Sequence, residues 1–232
     1  VKIPIKQTFY ARVLLLKSFP EPLAKRNVRQ ASLWILFASA CVIVGLYPLA
    51  YLLAPGKIAL LLLKSEGLVN NWLWKAGFIT HILAGGIALT VGWSQFIPQW
   101  RSRFLAVHRA LGKVYVIAVI VSAIAAISIA PFSTTGTIAS IGFGSLGVIW
   151  LASTILAWRC IHQRNWQQHE RLMTYSYAAC FAAVTLRFWL PTLIGVFQLK
   201  FSTAYPIVAW LSWVPNLVIA FWINSQRQEK PN

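Results

Sequence analysis

Six apolar runs, each long enough to cross a bilayer, leave this chain one class of fold. Crossing the hydrocarbon takes roughly 20 apolar residues at about 1.5 Å of rise each. The sequence offers such runs near 32–54, 77–97, 111–130, 138–158, 172–197 and 205–224. In lipid a backbone must satisfy its own hydrogen bonds, so isolated apolar runs of this length are helices. The expectation is an all-α polytopic membrane protein with six transmembrane helices in one bundle over residues 31–225. A basic leader at 1–30 precedes it and a short tail at 226–232 follows. Only 11% of the residues are charged, against about 25% in soluble domains, so a soluble catalytic domain is excluded. Any chemistry belongs within the bundle or at its faces, and whether the chain is an enzyme stays open.

The charges that exist are almost all positive: 21 Lys and Arg against four acids, a net +17. Such a balance on a soluble domain would suggest nucleic acid. Here the cations fall between apolar spans, so the expected partner is the lipid bilayer and not nucleic acid. With the N-terminus placed inside, sixteen cations lie on the inner side. Lys57, Lys64, Lys75 and Lys200 lie outside, and Arg187 lies within a span. The positive-inside rule puts both termini in the cytoplasm. The leader stretch "QTFYARVLLLKSF" reads either as an in-plane interfacial helix or as a frayed basic tail. "IALLLL" at 58–63 is too short to cross and is expected on the outer surface, ahead of an aromatic belt at Trp72 and Trp74. Most of the twelve Trp are expected to face lipid in such belts. Cys41, Cys160 and Cys180 fit no metal spacing and no even disulfide set.

Arg187 is the strongest anomaly. It stands about ten residues from the outer end of the fifth run, roughly 15 Å deep. A cation there costs at least ~2.5–3.5 kcal/mol on insertion scales, and no acid stands in any run to offset it. It should therefore face the bundle and be paired. Candidate partners are backbone carbonyls, among them those near the helix break at Pro215, or Asn216, hydroxyls, water or an anionic ligand. His81 is placed one turn inside the outer end of the second run. Its face continues through Gly85, Ala88, Gly92 and Gln95, a smooth groove that permits close helix packing or accommodates a flat ligand. His81 and Arg187 share the outer half and are candidates to line one cavity.

Two more imidazoles mark the inner mouths. His108, Gly112, Tyr115 and Ser122 share one stripe of the third run. His169, Met173, Ser176, Cys180 and Arg187 share one stripe of the fifth, so His169 and Arg187 are expected to point the same way. Facing imidazoles are the usual ligands of intramembrane haem b. One inner haem between His108 and His169 is a candidate, with a quinone near His81 and Arg187 as another. Pro48, Pro191 and Pro215 are expected to break or kink their spans. "HRALGKVY" and "HERLMTYSY", at the inner ends of runs three and five, echo each other.

The stretches "THILAGGIALTVGWSQF", "HRALGKVYV", "GFGSLGVIWL", "HERLMTYSYAACFAAVTLRFWLP" and "SWVPNL" resemble, in that order, a bacterial family of predicted membrane proteins catalogued as domain of unknown function 2306. The resemblance covers roughly residues 77 to 220. It implies a shared fold in a bacterial inner membrane and shared polar positions: His81; His108, Arg109, Gly112 and Tyr115; Thr185, Leu186 and Arg187. The chain departs from that pattern at Glu170, where Arg is expected, and at Phe221. The resemblance implies no activity. Three functional classes follow: a cofactor-binding redox protein (haem b or quinone), an accessory member of a larger membrane assembly with partner subunits, and a small transporter. The candidate cofactor-binding residues are His81, His108, His169, Arg187, Tyr115 and Asn216.

Overall fold

The computed structural model describes residues 28–53, 61 and 64–228. The leader stretch and all of "IALLLL" but Leu61 lie outside those residues. Everything regular among the described residues is helical, with no strand. Six helices are long and apolar enough to cross a membrane: Gln30–Tyr51, Trp72–Phe96, Leu105–Phe132, Thr137–His162, Trp166–Gly195 and Phe201–Arg227. They are called spans one to six below. The chain divides into two compact units, 1–37 and 38–232. The described part of the first begins the helix Val28–Leu46, where Trp34 and Phe37 meet edge-on. The second holds the remainder.

The fold's two ends differ in charge. Arg101, Arg103, Arg109, Arg159, Arg164 and Arg171 gather where spans two to five turn, and this is the basic end. The other is the far end. Arg101 forms an ion pair there with Glu170, the one salt bridge among the described residues. It ties the short helix Pro98–Arg103 to the first turns of span five.

Small residues set the helix spacing. At Gly86 an added Cβ would collide with the Gly45 carbonyl of span one, so these two backbones touch. At Gly92 it would fall 2.7 Å from a Tyr177 ring carbon and 2.8 Å from one of Tyr115. The groove that begins at Gly85 is thus filled at its two glycines by side chains of spans three, four and five: Ser122 and Trp150 at Gly85, Tyr115 and Tyr177 at Gly92. It holds protein rather than a flat ligand.

Three spans are interrupted. Span one breaks at Tyr47 and Pro48, and span six at Ser212 and Trp213, just ahead of Pro215. Span five breaks at Phe181, ten residues before Pro191, and Pro191 itself stands inside the helix Ala182–Gly195. The two breaks of spans five and six are stitched together. Asn216 donates to the carbonyls of Ala178 (3.2 Å) and Ser212 (3.0 Å), and to Thr185 Oγ1 (3.2 Å). Thr185 in turn donates to the Ser212 carbonyl. Carbonyls released by the breaks are satisfied in this way, which is how irregular helices persist in lipid.

Tryptophan does more packing than an all-belt arrangement allows. Trp72, Trp100, Trp166 and Trp222 are exposed, Trp74, Trp150 and Trp213 are buried, and the other five are half-buried. Trp74 leaves the expected belt because it stacks on Phe78 of its own helix (centroids 5.3 Å).

Candidate functional site

At mid-depth a cluster of hydroxyls joins spans three, four and five. Tyr115 Oη lies 2.8 Å from Ser176 Oγ, and Ser176 Oγ lies 2.6 Å from Thr154 Oγ1. Thr154 donates to the Trp150 carbonyl at 2.7 Å, and Trp150 Nε1 donates to Tyr115 Oη at 3.5 Å. Beside it Tyr177 donates to the Leu89 carbonyl at 3.0 Å and contacts Cys41 Sγ at 3.2 Å. Tyr115 is fully buried and its hydroxyl is spent here. Ser176, in the sequence only a member of a polar stripe, is the hub. Tyr115 and Ser176 each stand seven residues after the His of their echoing segments, so equivalent positions meet.

His81 lies deeper than the apolar run suggests. Its helix begins at Trp72, so it stands about 13 Å from that end at helical rise. Its Nδ1 is 3.0 Å from Ser122 Oγ and 3.2 Å from the Ser122 carbonyl, while Ser122 Oγ donates to the His81 carbonyl at 2.8 Å. The serine hydrogen is therefore used, and both neighbours of Nδ1 accept. Nδ1 carries the proton, and Nε2 is left as a bare lone pair. The partner assignment fixes the tautomer.

Arg187 is placed differently from expectation. Its side chain is exposed, whereas Ser176 and Cys180 of the supposed common stripe are buried. The break at Phe181 turns the helix between them, so His169 and Arg187 do not share a face. The guanidinium donates to the Ala183 carbonyl of its own helix at 2.8 Å and lies over the Tyr47 ring, 5.0 Å from its centroid. Of the expected partners it takes a backbone carbonyl, that of Ala183, and neither Asn216 nor a carbonyl near Pro215. One hydrogen bond out of five N–H donors leaves most of its capacity unused. The bonded carbonyl is one turn nearer the basic end, so the head group points toward mid-membrane and does not snorkel outward.

Aromatic rings lead from this arginine toward the far end. Tyr47 meets Tyr51 at 5.9 Å, Tyr51 meets Phe78 at 5.4 Å, and Phe78 stacks on Trp74. Lys64 closes the series over Trp74 at 5.7 Å and donates to the Phe132 carbonyl. His81 and Tyr51 both lie within electrostatic reach of Arg187. The structure thus brings His81, Arg187 and two tyrosines that the sequence did not single out into one region. The cue for Tyr47 was local: it precedes the Pro48 that breaks span one.

At the basic end His108 and His169 are within electrostatic reach of each other. His169 Nδ1 is 3.0 Å from the Ala157 carbonyl, which fixes its proton and frees Nε2. The cavity beside His108 measures about 170 Å³ and takes no lining from span five. Sites for drug-sized ligands are ~300–1,000 Å³, so this arrangement does not offer the two imidazoles to one haem. Among the described residues no group of three or more His, Cys, Asp or Glu side chains could hold a metal ion.

The comparisons agree with this architecture. A family model described as a predicted membrane protein, domain of unknown function 2306, matches residues 78–223. No curated protein and no solved structure matches the chain. The matched segment contains spans three, four and five whole, nearly all of span two and most of span six, so the chain belongs to this family of membrane proteins.

Proposed function

We propose that this protein is a cofactor-binding membrane protein of the redox type, with a quinone head group held by Arg187 in the far half of the membrane. The observation that carries it is the guanidinium itself: deep within a span, exposed on the helix surface, directed toward mid-membrane, and using one of its five donors. A permanent charge at that depth is costly, and a polarised quinone carbonyl would accept the idle N–H groups. His81 supports the assignment, because its bare Nε2 accepts a hydrogen bond from the reduced, hydroxyl-bearing form. Tyr47 and Tyr51 supply ring faces of matching shape. The basic end is assigned to the cytoplasm of a bacterial inner membrane, on the arginines that gather there among the described residues, Arg101, Arg103, Arg109, Arg159, Arg164 and Arg171.

The test is solvent extraction of protein purified in mild detergent, followed by mass spectrometry for prenylated quinones. The expected result is near-stoichiometric quinone in the parent protein and at least a tenfold loss in Arg187→Gln. Equal quinone in both, or none in either, removes the proposal. An oxidised-minus-reduced absorption spectrum of the same sample reads haem directly. A reduced α-band would make haem, not quinone, the cofactor and would overturn the reading of the basic end given above.

A further inference from the structure

The cavity at the basic end has a polar group against it that the fold leaves without a partner. Ser94 Oγ donates its one hydrogen to the Val91 carbonyl at 2.7 Å. It can then only accept from Gln95 Nε2, which lies 3.2 Å away. This fixes the carboxamide orientation, and Gln95 Oε1 is left buried without a hydrogen bond. A Cβ added at Gly112 would lie 3.6 Å from that oxygen, in ordinary contact, so span three covers it without pairing it. An unmet buried acceptor destabilises the protein that carries it. His108 lines the same cavity, and its ring makes no hydrogen bond among the described residues. The remaining walls are apolar, with Trp100, Phe104 and Leu111 prominent. The ion pair of Arg101 with Glu170 anchors the short helix Pro98–Arg103, which carries the lining residue Trp100.

We propose that this cavity binds a single aromatic ring bearing a hydroxyl group, a phenol-class ligand that donates to Gln95 Oε1. Volume sets the ring count: a cavity of ~150 Å³ accommodates one benzene, and this one measures about 170 Å³. The walls of Trp100, Phe104 and Leu111 take the ring faces. The orphaned acceptor selects a donor over a purely apolar ring, since a site built around a polar group discriminates against the analogue that lacks the partner. Oε1 is covered, so binding turns the carboxamide toward the cavity about its last torsion, a soft rotor, and the Nε2 bond to Ser94 is exchanged for the bond to the ligand. This site is separate from Arg187 and does not rest on the quinone proposal.

The experiment compares p-cresol with toluene by calorimetry on the full chain in nanodiscs, with empty nanodiscs subtracted. The expected result is at least tenfold tighter binding of p-cresol. Gln95→Met should bring the two ligands within twofold of each other. Leu111→Trp fills the cavity and should abolish both while the protein stays folded by thermal unfolding. Arg187→Gln should change neither. Equal affinity for the two rings in the parent protein overturns the proposal. So does a preference for p-cresol that survives Gln95→Met, or binding that survives Leu111→Trp. Failure of both rings to bind overturns it as well, and leaves the cavity to water. If Gln95→Met does not fold, the Leu111→Trp result and the parent comparison still decide.

Discussion

The hydroxyl cluster at mid-depth and the arginine nearer the far end meet the same solvent with opposite solutions. Tyr115, Ser176, Thr154 and Trp150 pass hydrogen bonds among themselves across three spans. Arg187 leans on a carbonyl of its own helix and the face of Tyr47, with the rest of its donors open. Neutral polar groups are cheap to satisfy with one another, and doing so locks helices in register. A guanidinium needs several acceptors or a counter-charge, and among the described residues no carboxylate pairs with it. The first region therefore holds the fold together, and the second is where a ligand would be gained or lost.

The largest expected effect lies where the cluster meets its neighbours. Gly92→Leu drives a side chain into the rings of Tyr177 and Tyr115 and should cost about 1–3 kcal/mol or more. Loss of monodisperse protein in detergent would show it. If Gly92→Leu is as stable as the parent, the tight packing of span two on spans three and five is wrong. Ser176→Ala comes next. It removes the hub and should lower the thermal midpoint by the equivalent of about 1 kcal/mol. Quinone content should not change, and a change would dissolve the division between holding and binding.

Arg187→Gln should show the reverse pattern. Ligand is lost while thermal stability stays level or rises, because an insertion cost of ~2.5–3.5 kcal/mol is removed. A destabilised Arg187→Gln without ligand loss would make the arginine a packing residue instead. The smallest effect concerns Lys64, outside the spans, whose ammonium is pushed below its usual 10.5 by burial. Between that lowered value and 10.5 the unfolded chain holds more protons than the folded one, so stability should rise with pH. The rise should disappear in Lys64→Met when thermal midpoints are followed across that range.

Much of the region around Arg187 is legible in the sequence. The depth of Arg187 and the placement of His81 in the same half both follow from counting residues along apolar runs. The orientation of Arg187 is not legible there, because such counting takes the helix from His169 as unbroken. The break at Phe181 carries neither Pro nor Gly at its centre. It depends on Asn216 and Thr185 reaching the freed carbonyls from a partner break in span six. The part played by Gln95 stays hidden for a related reason. Nothing in the sequence around it reveals which groups its neighbours have already used.

Length and polarity alone determined that this chain crosses a membrane six times as helices, since lipid admits no other arrangement for such runs. They also determined which residues are out of place in oil. Only the tertiary structure decided which of those residues are satisfied and which are idle. Hydrogen bonds are directional and saturable, and the partners that engage Tyr115 and His81, and two of the three that Asn216 reaches, come from other spans, tens of residues away.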